Sequence, residues 1–327
     1  MKKGKIPEAV LIRSVLKQLH KRRKEVAVGP AVGQDCAALC LEDGEALVLS
    51  SDPITGTTKD IGRFGALVTT NDIAAAGAEP VGIILTMLLP EDTTEAQLKQ
   101  MISETEESCG KIGVEVIGGH TEITDAVVRP VISVTGVGKI RKNRLFTLKS
   151  VHEGDDLVVT KWIALEATSI LAKEKREELL KHFPDGIVDA ASDFDAYLSV
   201  IPESKIAMEH GISAMHDVTE GGIFGALWEM GSGSGCGLEA DLKKIPIRQE
   251  SVEICEYFDI NPYLSMSSGS MLIASPDGAG LVKKLKAAGI PASVIGRMTP
   301  GNDRIVRNGE EVRYLDKPQT DELYKVL

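Results

Sequence analysis

Aromatic residues are scarce in this chain: two Trp, five Tyr and six Phe among 327 positions. A core with so few rings must be filled by Ala, Val, Ile and Leu, and the stacking platforms that single-stranded nucleic acid needs are missing. Positive charge is also in short supply, with 37 Lys and Arg against 48 Asp and Glu and a formal net charge of −11. A surface of that sign repels a phosphate backbone, which disfavours a nucleic-acid partner. The one basic run, Lys21 to Lys24, reads as the solvated end of a helix, where cations suit the macrodipole. Five cysteines carry no paired spacing, and Cys36 and Cys40 find no His or further Cys to complete a zinc shell, so a reducing compartment is expected. No apolar run is long enough to span a bilayer and the N-terminus lacks a signal-peptide core, so a cytoplasmic protein with no membrane contact is expected. A Walker A loop is absent too. Gly4, Gly110 and Gly138 each open a Gly-Lys-Ile triplet, and none supplies the hydroxyl residue after Lys.

What the chain has instead is a series of acidic signatures. Gly33-Gln34-Asp35-Cys36-Ala37, Ser51-Asp52-Pro53-Ile54-Thr55-Gly56-Thr57 and Asn71-Asp72-Ile73-Ala74-Ala75 follow one another in the first quarter. Magnesium keeps most of its water and takes one or two carboxylates plus phosphate oxygens, so Asp residues converging on a groove suit an ion held against a nucleotide. Asp35 could equally be a turn residue after Gly33. Asp52 is held extended by Pro53, beside Thr55 and Gly56, which offer a hydroxyl and an amide to phosphate. Asp72, in a helix of small apolar residues, needs a partner: a metal, the Asn71 amide or a basic group. Further on, Gly118-Gly119-His120-Thr121-Glu122 ends a strand where glycine lets a ligand approach the backbone. His216-Asp217-Val218-Thr219-Glu220-Gly221-Gly222 precedes a helix whose first amides attract an anion; its plainer role is an Asp or Thr cap. Lys5 could fold over a phosphate from an N-terminal arm or lie in a disordered tail.

Periodicity predicts a helix over 8–23, a hairpin of strands 36–41 and 46–49, a helix from Asp60 to Ala76, a strand over 81–89, a helix capped by Thr93 or Thr94 and closed near Gly110 or Gly113, and strands over 114–117 and 127–137. In the second half it predicts helices over 165–181, 203–209, 222–230 and 280–288, with strands over 157–160, 271–274 and 292–295. The tract from Gly231 to Gly237 reads as a flexible connection, since its glycines fit no dinucleotide pattern. The fold class is α+β in two domains, 1–145 and 150–327.

The order and wording of these motifs resemble the aminoimidazole ribonucleotide (AIR) synthase superfamily, the PurM-like proteins, over most of the chain. That superfamily includes selenophosphate synthetase, thiamine monophosphate kinase and the hydrogenase maturation factor HypE. Ser51-Asp52-Pro53-Ile54-Thr55, Met215-His216-Asp217 and Ser268-Gly269 are most similar to the HypE-like group. The resemblance implies an N-terminal mixed α/β sheet domain that pairs into a barrel in a homodimer. It implies ATP and Mg2+ as cofactors, with Asp35, Asp52, Asp72 and Asp217 on the metal. Thr55, Asn71, Gly118, Gly119, Thr121, Thr219, Gly221 and Gly222 would join Asp35, Asp52, Asp72 and Asp217 around the nucleotide, the segment at Asp217 facing it from the second domain, and Asp72, His120 and Lys5 would act in catalysis. It implies an ATP-dependent enzyme that activates an amide or carboxyl oxygen of a small or protein-borne substrate. HypE carries its substrate on a C-terminal cysteine; this sequence ends Tyr324-Lys325-Val326-Leu327, so a tail-borne reaction is not expected. A small-molecule kinase of the thiamine monophosphate kinase type, or a non-catalytic ATP-binding assembly protein, are the alternatives.

Overall fold

The computed structural model describes residues 4–5, 8–31, 37–54, 60–318 and 320–327. It divides into two units, Met1–Ile73 with Ala78–Arg144, and Ala74–Gly77 with Leu145–Leu327. The first contains α1 (Glu8–Val10), α2 (Ile61–Ala75) and α3 (Glu95–Ile112), with strands β1 (Gly4–Lys5), β2 (Val26–Val28), β3 (Ala38–Leu39), β4 (Glu45–Ile54), β5 (Glu79–Leu89), β6 (Glu115–Ile123) and β7 (Val131–Arg141). Five of these form one mixed sheet, ordered β1-β6-β5-β7-β4, in which only β5 and β6 run parallel. Alternation along the strands gives the sheet two unlike faces. One buries Ile83, Leu85, Met87, Ile132 and Val134 against Ile61, Leu98, Met101 and Ile102 of α2 and α3. Burial of each such side chain contributes roughly 1.5–3 kcal/mol. The other face carries Leu47 and Leu49, 50% and 63% exposed.

α3 begins and ends where its sequence says it should. Thr94 and Gln97 close a reciprocal capping box at its start, and Gly113 takes the left-handed conformation at its end.

Three local expectations for this unit need correction. The predicted 8–23 helix stops at Gln18, passing from α1 through a π turn (Leu11–Val15) and a 3-10 turn (Leu16–Gln18). The basic run after it is therefore no helix end. Arg22 pairs with Glu106, Arg23 with Glu25 and Glu79, and Lys24 approaches Glu42, so these cations fasten an extended segment to its surroundings. The 36–41 and 46–49 hairpin does not form either: β3 pairs with β2 in a small separate sheet, while β4 lies along β7 for ten residues. A turn signal showed where the chain bends but not which strand offers the longer partner.

The second unit contains α4 (Leu165–Glu174), α5 (Arg176–Leu179), α6 (Asp185–Ser192), α7 (Ile201–His210), α8 (Gly222–Ser234), α9 (Gln249–Tyr257) and α10 (Gly278–Ala287). Its strands are β8 (Asp156–Thr160), β9 (Ala214–Asp217), β10 (Gly237–Asp241), β11 (Met271–Ser275), β12 (Ala292–Thr299), β13 (Arg304–Asn308) and β14 (Glu311–Tyr314). They form a seven-stranded sheet, ordered β14-β13-β10-β12-β8-β11-β9. Two expectations change here. The 165–181 helix breaks after Glu174, and the glycine tract is no flexible connection: Gly231 to Ser234 are the last turn of α8, Gly235 is its left-handed cap and Gly237 begins β10. Gly231 sits under Arg304 and Gly233 under Leu148, where a Cβ would lie 2.7 and 2.5 Å from those side chains. Small residues were mistaken for mobility when they mark close packing. Among the described residues no helix is long and apolar enough to cross a membrane.

Candidate functional site

In the first unit, β4 and α2 bring two of the sequence-selected acids together. Ser50 and Asp52 are two apart on β4 and so share a face. That face is the helix side, because Ser50 pairs across the sheet with Gly136, where a Cβ would strike Thr69 and Ile73 of α2. From α2, Asp72 reaches the same point. The Ser50 hydroxyl bonds to Asp72 Oδ2 and stands 3.5 Å from Asp52 Oδ2. Two carboxylates around one hydroxyl repel each other, and a divalent cation relieves that repulsion. Asn71, beside them on α2, is fully buried.

His120 does not join this pair. It lies opposite Thr86, which lies opposite Ser133, and these alternate with the core-facing Ile132 and Val134. His120 therefore opens onto the face away from α2, with Glu122 3.2 Å from its Nε2. The backbone of Lys5 runs opposite Glu122 in β1, placing Lys5 at the same sheet edge as His120. Thr121 points to the helix side, opposite Met87, but three strand spacings from β4, about 14 Å. That is beyond the shell of one ion. Gly118 has open space where a Cβ would stand, whereas a Cβ on Gly119 would lie 2.2 Å from the Leu85 carbonyl oxygen. Close ligand approach is open at Gly118; Gly119 is required by strand packing. Asp35 and Thr55 lie outside the described residues.

In the second unit, Asp217 ends β9 and is buried, and its Oδ2 has no partner among the described residues. His216 beside it is held from both ends: Nδ1 contacts the Asp217 carbonyl oxygen at 2.7 Å and Nε2 the Glu229 carboxylate at 3.0 Å. Burial pushes the His216 imidazole down, yet the bonds to Asp217 and Glu229 outweigh it and carry the group up to about 10, so it is a cation at neutral pH. Glu166 is buried on α4, where it accepts the Ser268 N–H at 3.3 Å. Burial pushes its carboxyl up to about 7 against that bond, with the charges of Asp321 and Asp217 adding to the rise.

The amides expected to greet an anion at the start of α8 are already engaged. Gly221 donates to Asp321 Oδ2 at 2.8 Å and Gly222 donates to the Thr219 carbonyl oxygen at 3.0 Å. Gly222 is fixed by close packing, since a Cβ there would lie 2.6 Å from the Tyr263 carbonyl oxygen at a φ of +60°. Lys161 forms an internal ion pair. Its ammonium meets Glu203 at 2.6 Å and donates to the carbonyl oxygens of Tyr197 and Ser199.

Sequence reasoning missed Ser50, Glu166 and Asp321. Ser50 was legible as the residue two before Asp52 on a strand; Glu166 and Asp321 acquire their roles only through burial. Among the described residues no three His, Cys, Asp or Glu side chains gather as a metal cage.

Comparison with known proteins agrees with this architecture. The family model described as AIR synthase related protein, N-terminal domain, matches residues 33–140, and that for the C-terminal domain matches residues 152–307. A putative hydrogenase expression/formation protein of Methanocaldococcus jannaschii is 27% identical over 276 residues, covering 83% of this chain and 80% of its own. The carbamoyl dehydratase HypE of Rhodobacter capsulatus is 28% identical over 271 residues, covering 80% and 77%. The crystal structure of a hydrogenase maturation protein HypE in complex with ATP superposes with a TM-score of 0.79 at 18% identity, covering 96% of this chain and 95% of that one. With both halves matched in order, the chain belongs to the AIR synthase related family and has its two-domain PurM-like fold.

Proposed function

We propose that this protein is an ATP-dependent enzyme of HypE-like type that activates an amide or carboxyl oxygen of a small or protein-borne substrate, with a role in hydrogenase maturation. The convergence of Asp52 and Asp72 on the Ser50 hydroxyl carries this reading. The donor set fits magnesium, because these are hard carboxylate oxygens, two in number, and the ion takes one or two such groups while leaving its other positions to phosphate and water. When bound, the ion neutralises charge on the transferred phosphoryl group. Ser50 orients Asp72, and Pro53 keeps the strand extended so that Asp52 stays on the α2 side. Asp217, with a buried carboxylate oxygen that has no partner among the described residues, is a candidate cation acceptor within the second unit.

The chemistry is a transfer of the γ-phosphoryl group to the substrate oxygen with release of ADP. Loss of phosphate then removes that oxygen and completes a dehydration or ring closure. Burial holds the Cys109 and Cys255 thiols up at about 12, which makes these two poor carriers. The relatives named as carbamoyl dehydratases and the ATP complex of a protein of the same fold support the reading.

The exposed leucines of the five-stranded sheet support a homodimer that pairs this face with its own copy. Here His120 and Glu122 would lie at the interface.

An isotope experiment tests the chemistry. With ATP and a carboxamide substrate labelled with 18O, the label is expected in the released inorganic phosphate. Label retained in a stable phosphorylated product would mark a kinase instead, and absence of ATP turnover would overturn the enzymatic reading.

A further inference from the structure

The second unit encloses a cavity of about 700 Å³ that none of the chemistry above uses. Its walls are the start of α8, the loop around Tyr263, the β13–β14 hairpin and the C-terminal segment that follows. A volume of this size is typical of small-molecule sites.

Two features of the lining narrow the ligand. Phe224 and Tyr263 stack on each other, centroids 5.2 Å apart and planes 19° from parallel, which fixes a flat aromatic wall at low entropic cost. The charges in the walls cancel. Arg313 pairs with Glu311 at 2.7 Å, Lys325 pairs with Glu322 at 2.7 Å, and Lys317 follows Asp316 in the chain. A di- or triphosphate would meet three carboxylates alongside three cations among the described lining residues. Asn261, Asn308 and Thr320 supply both donors and acceptors, the mixed set that the edge of a heterocycle requires.

We infer that this cavity binds an uncharged planar heteroaromatic molecule, of nucleobase or nucleoside type, stacked against the Phe224–Tyr263 wall beneath the C-terminal segment. Because Asp316, Lys317, Thr320, Glu322 and Lys325 form one wall, the bound molecule ties that segment to the body of the unit.

Adenosine and uridine are the probes, with binding followed by calorimetry and by amide deuterium exchange over residues 316–325. At least one nucleoside is expected to bind at up to millimolar concentration and to protect that segment. Tyr263→Ala should weaken binding about tenfold. Thr320→Trp, at an exposed wall position, should fill the cavity and abolish binding without touching the core. Saturating Mg-ATP should leave protection of 316–325 by the nucleoside unchanged, which separates this cavity from the Asp52–Asp72 site. Failure of both nucleosides to protect 316–325, undiminished binding to Thr320→Trp, or loss of that protection on adding Mg-ATP would each overturn the assignment.

Discussion

The carboxylate of Asp321 accepts the backbone N–H of Gly221 at 2.8 Å, joining positions a hundred residues apart. Its other oxygen accepts the N–H of Leu323 at 2.9 Å and so caps the 3-10 turn Glu322–Lys325. Asp321 is 1% exposed, and burial pushes its carboxyl up against these bonds. Asp321→Ala leaves the Gly221, Leu323 and Met266 amides without this acceptor and should cost about 1–3 kcal/mol. Urea unfolding measures the loss, and faster deuterium exchange over 321–326 should accompany it. Unchanged stability would show that the contact contributes nothing net.

Glu166 gives a pH dependence with a definite sign. Its carboxyl moves from 4.5 unfolded to about 7 folded, so the native state binds the proton more tightly across that interval. Stability from this group is present below pH 4.5 and falls as pH rises to about 7, by roughly 3 kcal/mol in all. Glu166→Gln removes the titration while keeping an acceptor for the Ser268 N–H. Relative to the parent, the variant should gain stability between pH 4.5 and 8, measured by denaturation in EDTA. A pH-independent difference would contradict the buried, proton-bearing state.

The two glycines before His120 should separate by mutation. Gly119→Ala drives a Cβ to 2.2 Å from the Leu85 carbonyl oxygen and must push β5 from β6. A loss of about 1–3 kcal/mol is expected from such overpacking. Gly118→Ala meets open space on the same face as His120 and should fold normally. Equal thermal stability of the two variants would refute the packing role.

Leu49→Lys tests the open face of the first sheet. Light scattering should give a dimer for the parent and a monomer for the variant at micromolar concentration. A monomeric parent would remove the proposed interface and return His120 to plain solvent exposure.

Much of this fold was legible in the sequence. The Thr94 and Gly113 signals bound α3 because capping is local chemistry, and Gly77, at a φ of +74°, follows the end of α2 in the same left-handed conformation. The pairing of β4 with β7 was not, since register over eighty residues depends on which partner buries more surface. Helix α6 was also missed, short and bounded by Pro184 rather than by a side-chain cap. At the site, Asp52 and Asp72 were named from motifs, but the sheet decides that His120 faces the other way. Period two along β6 was readable; the side on which the helices pack was not.

Calorimetric titration of Mg-ATP into the parent, Asp52→Asn and Asp72→Asn proteins tests the two-carboxylate site most directly. Each substitution should weaken binding about ten- to a hundredfold while the melting temperature of the nucleotide-free protein stays the same. Parent-like affinity in both variants would contradict it.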